Sequence, residues 1–247
     1  MKKIVIIGAT SSIAVQCARC WIQQSPVDLV LVGRNKEKTE QIAMDLRIRS
    51  PESKVASIQM DFLDPLAIQA LADSLKKEGG IDIVLIAHGM LPDQSRSEKD
   101  LQYCTEALFV NAISPVLFAE SFVAVMQEAG RGTLAIIGSV AGDRGRKSNY
   151  IYGAAKGLVT RFTEGLQHRF AGTSINIILI KPGPTDTPMT AHMKLRGRKL
   201  ASAREVAHQI VSGINKGKLV IITPRKWILI MWVVRALPRW IFNRINI

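Results

Sequence analysis

Residues 4–14 read IVIIGATSSIA, and this stretch decides the fold. Ile4–Ile7 are apolar throughout instead of alternating with polar residues, which is typical of a strand buried on both faces of a sheet. Gly8 then permits a tight turn, and Ser12 opens a segment of helical length. The stretch therefore predicts a buried strand, a turn and a helix, which is the start of a strand–helix–strand unit.

Short apolar strands and longer helical segments keep alternating after this start. We predict strands at 3–7, 28–32, 54–58, 82–86, 132–138, 174–180 and 218–222. Helices are predicted at 12–24, 36–49, 65–77, 98–128, 149–170 and 203–215. The alternation indicates an α/β protein, a Rossmann-type doubly wound parallel sheet of about seven strands with helices on both faces. We expect residues 1–223 to form this domain and residues 224–247 a short amphipathic C-terminal tail.

The chain has 247 residues and a net charge of +13, with most of the excess near its end. Residues 190–247 hold twelve Lys or Arg and a single acid, Glu205. This asymmetry predicts a polyanionic partner: nucleic acid, an anionic membrane or a phosphorylated substrate. No zinc-finger or RNA-binding signature accompanies it, so we do not expect nucleic acid.

The cysteines and the N-terminus indicate the compartment. Three cysteines agree with reducing surroundings. Cys17 and Cys20 form a CxxC pair inside a predicted helix without a second pair, so we expect buried thiols and no metal site. The apolar run after Lys2 and Lys3 is shorter than the core of a signal peptide. We therefore expect a cytoplasmic protein.

A phosphate-binding loop is predicted where the first strand meets the first helix. The unpaired N–H groups and the dipole of a helix N-terminus attract anions. Only one glycine of the G-x-G-x-x-G pattern is present. Taken alone, the stretch therefore also fits an ordinary turn between a strand and a helix. The expected contacts are Gly8, Thr10, Ser11, Ser12 and Ile13, and we predict that the hydroxyl or N–H of Ser12 meets the cofactor.

The end of the second predicted strand indicates which dinucleotide would bind. A ribose 2′-hydroxyl usually meets an acid at this position, whereas a 2′-phosphate meets an arginine. The sequence places Arg34 and Asn35 there, and no acid. A guanidinium can hold a phosphate through two parallel hydrogen bonds. This favours NADP(H), with NAD(H) possible, while a solvated surface arginine is the alternative interpretation.

A catalytic set is predicted around residues 139–156. Ser139 follows a predicted strand, and Tyr152 and Lys156 stand four residues apart, on one face of a helix. Reduction of a ketone needs a proton donor at the carbonyl oxygen, and a neighbouring ammonium lowers the pKa of a phenol. We expect Tyr152 to donate the proton, Lys156 to lower its pKa, and Ser139 to bind the carbonyl.

These motifs together resemble the short-chain dehydrogenase/reductase family over nearly the whole chain. The resemblance implies that Asp61 and Phe62 contact adenine and that Ala87, His88 and Gly89 replace the family's N-A-G segment. It implies a proton relay through Asn111 beside Ser139, Tyr152 and Lys156, with Tyr152 and Lys156 also touching the cofactor. It implies that the nicotinamide is held by Pro182, Gly183, Thr185 and Thr187. We expect His88 to be packed and hydrogen-bonded beside the cofactor instead of catalytic.

The segments GATSSIA, AHGMLPDQ and AGDRGRKSNYIYGAAKG, with the ending VVRALPRWIFNRINI, are similar to the decaprenylphosphoryl-2-keto-ribose reductase branch of that family. The resemblance implies a keto-sugar substrate linked to a polyprenol through phosphate, and a flavoprotein oxidase as partner. The cations just before Tyr152 would then bind the phosphate, unless they form a solvated loop: Arg144, Arg146 and Lys147. A second basic loop, expected to close over substrate, contains Lys194, Arg196, Arg198 and Lys199.

The tail at residues 225–247 combines three tryptophans with arginines, the pattern of a segment lying in the interface of an anionic membrane. Its uncharged run Trp227–Val234 is too short to span a bilayer. The alternative is a helix packed on its own domain or on a second subunit. Homo-oligomers are expected, because segments 98–128 and 149–170 form subunit contacts in the resembled family.

Three functions stay open at this point. The first is an NADPH-dependent reductase of a lipid-linked keto-sugar at the inner face of the cytoplasmic membrane. The second is a soluble reductase of another carbonyl compound, such as a 3-ketoacyl thioester or a steroid. The third is a non-enzymatic nucleotide-sensing scaffold on the membrane, and the complete set of Ser139, Tyr152 and Lys156 argues against it.

Overall fold

The computed structural model describes residues 1–191, 195, 197 and 199–245. Its strands are β1 Lys2–Ile7, β2 Val27–Gly33, β3 Lys54–Gln59, β4 Ile83–Ile86, β5 Gly132–Ile137, β6 Ile175–Pro182, β7 Thr185–Asp186, β8 Ala201–Ser202 and β9 Val220–Thr223. Seven of them form one parallel sheet in the order β3-β2-β1-β4-β5-β6-β9, and β7 pairs separately with β8. The predicted doubly wound parallel sheet is confirmed.

The chain reverses its direction of travel across the sheet at β1. Ile4 pairs with Leu29 of β2 on one side and with Ile83 of β4 on the other. The connections after β1 lead outward to β3, whereas those after β4 lead outward to β9. A crevice opens at such a reversal, outside the carboxyl ends of the strands, and ligands of doubly wound sheets bind there.

Helices cover both faces of the sheet, with the bounds α1 Ser12–Gln24, α2 Lys36–Arg49, α3 Pro65–Lys77, α4 Gln94–Ser97, α5 Leu101–Leu108, α6 Ser114–Ala129, α7 Tyr150–Arg169, α8 Ala203–Asn215, α9 Lys226–Ala236 and α10 Arg239–Phe242. Ile4 and Ile6 pack into the core with α1, α2 and α8, while Val5 and Ile7 pack into the opposite core with α3, α6 and α7. Because successive strand residues point to opposite faces, two buried faces require apolar residues throughout.

The long helix predicted at 98–128 runs over Leu101–Ala129 and contains a π-bulge. Between α5 and α6 the backbone forms a π-helical segment, Phe109–Ile113, whose wider turn carries Asn111. Such bulges are frequent at functional sites. By length and composition Leu101–Ala129 could cross a membrane, but 61% of its most apolar window is buried, as expected for a core helix.

Cys17 and Cys20 are free thiols on α1. Cys17 is buried in the core, and burial raises its pKa well above the usual value. Burial also raises the pKa of Cys20, which is partly exposed. The buried thiols expected from the sequence are therefore seen at Cys17, while Cys20 lies at the edge of the same core.

The C-terminal tail folds back onto the domain. Met231 and Val234 of α9 are buried against Val140, which follows the end of β5. Trp227 and Phe242 pack at the edges of this small cluster. Residues 224–245 therefore pack on their own domain, which was one of the two arrangements left open by the sequence.

Candidate active site

A cleft of about 1230 Å³ lies along the carboxyl ends of the parallel strands. It is wide enough for a dinucleotide and a substrate together, since drug-sized sites have ~300–1,000 Å³. Most of the predicted site residues line it: Gly8, Thr10, Ser11, Ser12, Ile13, Arg34, Asn35, Phe62, Ala87, His88, Gly89, Asn111, Ser139, Arg146, Tyr152, Lys156, Pro182, Gly183, Thr185 and Thr187. Asp61, Arg144 and Lys147 are not among the lining residues.

The N-terminus of α1 points into the cleft. Ser11 occupies the cap position, yet its side chain accepts no hydrogen bond from the first turn among the described residues. The early N–H groups of α1 thus lack a side-chain cap, which suits a diphosphate bound at this end. Ser12 is the first residue of the helix and lines the cleft, consistent with its predicted cofactor contact.

Gly8 brings the ends of β1 and β4 into close contact. Its φ of 82° lies in the left-handed region that favours glycine. A Cβ at this position would also come within 2.6 Å of the backbone nitrogen of His88. The single glycine retained in the loop is therefore the one that the backbone geometry requires.

The end of β2 forms a cationic rim of the cleft. Arg34 lines it, and Lys38 on the first turn of α2 lies beside it. The Asn35 side chain caps α2 by accepting a hydrogen bond of 2.8 Å from the Lys38 amide. Lys38 was not predicted from the sequence, although a second cation only four residues after Arg34 could have indicated that it belongs to the same site. Two cations at this rim suit a 2′-phosphate, so the residues present fit NADP(H).

Asp61 and Phe62 lie in the loop between β3 and α3. Phe62 is buried and lines the cleft, whereas Asp61 is exposed. One carboxylate oxygen of Asp61 accepts a hydrogen bond of 3.0 Å from the Leu63 amide. Asp61 is thus held at the edge of the cleft, and its adenine contact stays a prediction.

His88 is packed and hydrogen-bonded, as expected. The Ser114 hydroxyl donates to the Phe62 carbonyl oxygen at 2.7 Å, so it accepts from Nε2–H of His88 at 2.9 Å. Burial, followed by the charges of Lys156 and Arg34, lowers the pKa of His88 to about 3. The ring is therefore neutral, and its buried Nδ1 has no hydrogen-bond partner within the described parts of the chain.

Asn111 is fully buried and holds the loop after β4 in place. Its Nδ2 donates to the carbonyl oxygen of Ala107 at 2.9 Å, and its Oδ1 accepts from the amide of Met90 at 3.0 Å. A Cβ on Gly89 would approach that Oδ1 to 2.9 Å and the Nζ of Lys156 to 3.6 Å. The side chains of Asn111 and Lys156 therefore both lie near Gly89, and the proton relay through Asn111 stays a prediction.

Ser139 and Tyr152 both line the centre of the cleft, and Ser139 acts on the pKa of the phenol. Ser139 begins the short turn Val140–Asp143, and its Oγ accepts from the Ala141 amide at 3.1 Å. Burial raises the pKa of Tyr152, and the nearby Ser139 hydroxyl opposes this only in part. Lys156 does not lower this pKa as expected, and the phenol is protonated at neutral pH.

Lys156 is buried one helical turn beyond Tyr152 on α7. Its Nζ donates to the carbonyl oxygen of Ile137 at 3.1 Å and lies 5.9 Å from the centre of the Tyr152 ring. Burial lowers the pKa of Lys156 to about 8. The Ile137 carbonyl holds the ammonium at this distance from the ring, and Lys156 does not lower the pKa of Tyr152.

Gly142 sets the depth of α7 against the turn that carries Ser139. A Cβ on Gly142 would lie 2.6 Å from the backbone carbonyl of Lys156. The same turn is fixed from the other side by a buried ion pair between Asp143 and Lys181. These residues were missed by the sequence analysis, since nothing local marks them, and they position Ser139 relative to Tyr152.

The segment after β6 closes the cleft beyond the catalytic set. Thr185 is buried, and its hydroxyl donates to the Gly183 carbonyl oxygen at 2.9 Å. Thr187 meets Thr190 through their hydroxyls at 3.2 Å. Pro182 and Gly183 lie at the end of β6, next to Thr223 of β9. All four predicted residues line the cleft, and their contact with the nicotinamide stays a prediction.

The three predicted substrate cations separate in the structure. Arg146 lines the cleft, and Lys147 is exposed outside it. Arg144 instead anchors the tail: its Nη1 donates to the carbonyl oxygens of Val234 at 2.5 Å and Leu237 at 2.6 Å. These carbonyls at the C-terminus of α9 attract a cation, and this corrects the expected substrate contact of Arg144. Of the second basic loop, Lys194, Arg196 and Arg198 lie outside the described residues, and Lys199 is exposed.

Helix α9 forms a wall of the cleft that the sequence analysis did not foresee. Trp227, Ile230 and Val234 line the cleft beside Met189. The indole of Trp227 covers Gly183, since a Cβ there would lie 2.0 Å from its Nε1. The tail therefore reaches the catalytic end of the cleft.

The chain is similar to known oxidoreductases in both sequence and fold. A family model described as short chain dehydrogenase matches residues 2–196. An uncharacterized oxidoreductase of Streptomyces coelicolor is 30% identical over 99% of this chain and 96% of its own. A short-chain dehydrogenase from Sphingobium yanoikuyae in complex with NADPH has a TM-score of 0.83 at 22% identity and 97% coverage of each chain. One from Burkholderia cenocepacia in complex with NADP has a TM-score of 0.83 at 17% identity, covering 99% of this chain and 98% of that one. The protein belongs to the short-chain dehydrogenase family of oxidoreductases.

Proposed function

We propose that this protein is an NADP(H)-dependent reductase that converts a ketone to a secondary alcohol. The observation that carries the proposal is the meeting of Ser139, Tyr152 and Lys156 in one cleft, with Asn111 beside them. The NADPH-bound and NADP-bound structures with the same fold support the choice of dinucleotide. Arg34 and Lys38 would hold the 2′-phosphate, and the first turn of α1 the diphosphate.

NADPH, when bound, supplies the hydride for the carbonyl carbon. Tyr152 donates its proton to the carbonyl oxygen, and the raised pKa keeps the phenol protonated before that step. Ser139 orients the same oxygen through its hydroxyl. Lys156, one helical turn from Tyr152, and Asn111, which lies near Gly89 with Lys156, would then return a proton to Tyr152.

The proposed substrate is a keto-sugar joined through phosphate to a polyprenol, in cell-envelope biosynthesis. The support is the sequence similarity to the keto-ribose reductase branch and the place of Arg146 in the cleft, where a substrate phosphate would meet a cation. A flavoprotein oxidase would produce this ketone as the partner enzyme. The protein would act as a homo-oligomer at the inner face of the cytoplasmic membrane, touching the membrane through residues 225–247.

The test is oxidation of NADPH or NADH by the purified protein in the presence of the polyprenyl-phosphate keto-sugar. NADPH should be preferred, and Arg34→Asp should reduce that preference by about tenfold or more, since each charged contact contributes ~1.5–3 kcal/mol. If the protein reduces a 3-ketoacyl thioester but not the keto-sugar, the proposed substrate is wrong and a ketoacyl thioester takes its place. Dinucleotide binding without turnover of any ketone would favour a scaffold over an enzyme.

A further inference from the structure

Helix α9 is apolar on two opposite faces. Its inner face packs on the domain and lines the cleft, with Met231 fully buried. Its outer face is exposed and uncharged: Ile228 at 52%, Leu229 at 67%, Trp232 at 63% and Val233 at 44%. A helix that is apolar all round is normally covered on all sides, and the described part of the chain leaves this outer face open.

The charges around this face favour an anionic membrane as its occupant. Residues 224–247 contain no Asp or Glu, and their cations are Arg225, Lys226, Arg235, Arg239 and Arg244. A second copy of the chain would bring a net charge of +13 toward the same cations. Tryptophan beside arginine is the composition of segments that lie in the membrane interface.

The size of α9 sets how it would lie. Its 11 residues extend about 16 Å at ~1.5 Å per residue, about half of the ~30 Å hydrocarbon core. Trp240 on α10 is also exposed, at 66%, and extends the apolar surface past the end of α9. The helix can therefore rest in the surface of one leaflet and is too short to cross the bilayer.

The inner face of the same helix meets a cation in the cleft. Ile230 and Val234 line the cleft with Met189, and the Nη2 of Arg146 lies 3.7 Å from the sulfur of Met231. A guanidinium next to an apolar wall suits an amphiphile, with its phosphate on Arg146 and its hydrocarbon chain along Ile230. Ile230 is 38% exposed, so it stands at the rim between the cleft and the outer face.

We infer that α9 is a membrane-seated wall of the active site. Its outer face lies in the surface of an anionic membrane, and its inner face with Arg146 forms a site for a phosphate-bearing amphiphile. The ligand then passes over the Ile230 rim from the leaflet into the cleft. The chemical step that would follow rests on the proposed function, whereas the binding geometry does not.

Membrane seating is tested by flotation of the full chain with vesicles. Vesicles of phosphatidylcholine are compared with vesicles that also contain phosphatidylglycerol. The variant Leu229→Glu/Trp232→Glu should bind the anionic vesicles about tenfold or more weakly, because two apolar contacts are lost and two like charges are added. The matched control is Ile48→Glu/Leu66→Glu, whose side chains are 81% and 83% exposed on α2 and α3.

NADPH affinity, measured by fluorescence, should be equal in both variants and shows that each is folded. Equal flotation of the α9 variant and the control would contradict membrane binding through the outer face of α9. Equal binding of the unmodified chain to both vesicle types would contradict the preference for an anionic membrane. A dimer that dissociates in the α9 variant, without a change in flotation, would identify a second copy as the occupant.

The inner site is tested by titrating alkyl phosphates of increasing chain length into the NADPH complex. The affinity should rise with chain length, by up to about fourfold per methylene. The variant Ile230→Ser should reduce this gain per methylene, while the affinity for the phosphate with the shortest chain changes less. Affinity independent of chain length would overturn the inner site. Neither experiment uses turnover, so a failure to reduce the keto-sugar would reject the proposed function and leave these results standing.

Discussion

The indole of Trp227 lies directly against Gly183, so closely that a methyl group on Gly183 would come within 2.0 Å of the indole Nε1. Gly183 does not have a positive φ, so the backbone conformation alone does not require glycine there. The requirement comes from the packing of α9 on the end of β6. This contact joins the C-terminal tail to the segment proposed to hold the nicotinamide.

The variant Gly183→Ala should therefore destabilise the protein by about 1–3 kcal/mol, the usual cost of overpacking. The loss should shrink in the background of Trp227→Ala, because the clashing group is then absent. Urea unfolding of the two single variants and the double variant measures this coupling. An alanine at position 183 that costs the same in both backgrounds would show that Trp227 is not the cause.

Tyr152→Phe should reduce turnover by about 10²–10⁴-fold, the usual contribution of a positioned general acid. The affinity for NADPH should change little, because the ring and its packing are retained. Tyr150→Phe is the matched control, since Tyr150 is 43% exposed and does not line the cleft. The measurement is the rate of NADPH oxidation at saturating ketone, and equal rates for the two variants would contradict the assignment.

The kcat/KM for NADPH should decline as the pH rises through about 8. Burial lowers the pKa of Lys156 to about 8, so its ammonium is charged below that pH and neutral above it. The pH dependence of kcat/KM reports ionisations of the free enzyme, so the titration of Lys156 should be visible in it. The pKa of Tyr152 is raised by burial, so its titration lies at higher pH and does not explain a decline there. A profile that stays flat well above pH 8 would contradict this prediction.

His88 should make the protein sensitive to acid. Its pKa is lowered from 6.5 to about 3, so the neutral ring stabilises the folded state fully above pH 6.5. That stability is lost as the pH falls from 6.5 through the folded pKa, at up to about 1.4 kcal/mol per pH unit. His88→Gln can keep the donor to Ser114 without titrating, so its stability relative to the wild type should improve over this range. Parallel urea-unfolding curves for the two proteins at every pH would refute the prediction.

The strands and most helices could be predicted because their signals are local. Ile4–Ile7 show burial on both faces in consecutive residues, and the i, i+4 spacing of Tyr152 and Lys156 places them on one helix face. The π-bulge within the helix predicted at 98–128 could not be predicted. Nothing near Asn111 in the sequence shows that its side chain will tie the π-helical segment to the amide of Met90.

The sequence by itself determined the parallel sheet, the loop after β1 and the residues of the catalytic set, since each depends on neighbours within a few turns of chain. Only the tertiary structure decided what the cations and the tail do. Arg144 was expected at the substrate, but it holds the end of α9 some 90 residues further along the chain. Trp227 lines the cleft for the same reason. The packing of α9 depends on contacts between segments that are distant in sequence, and these segments meet only when the sheet is complete.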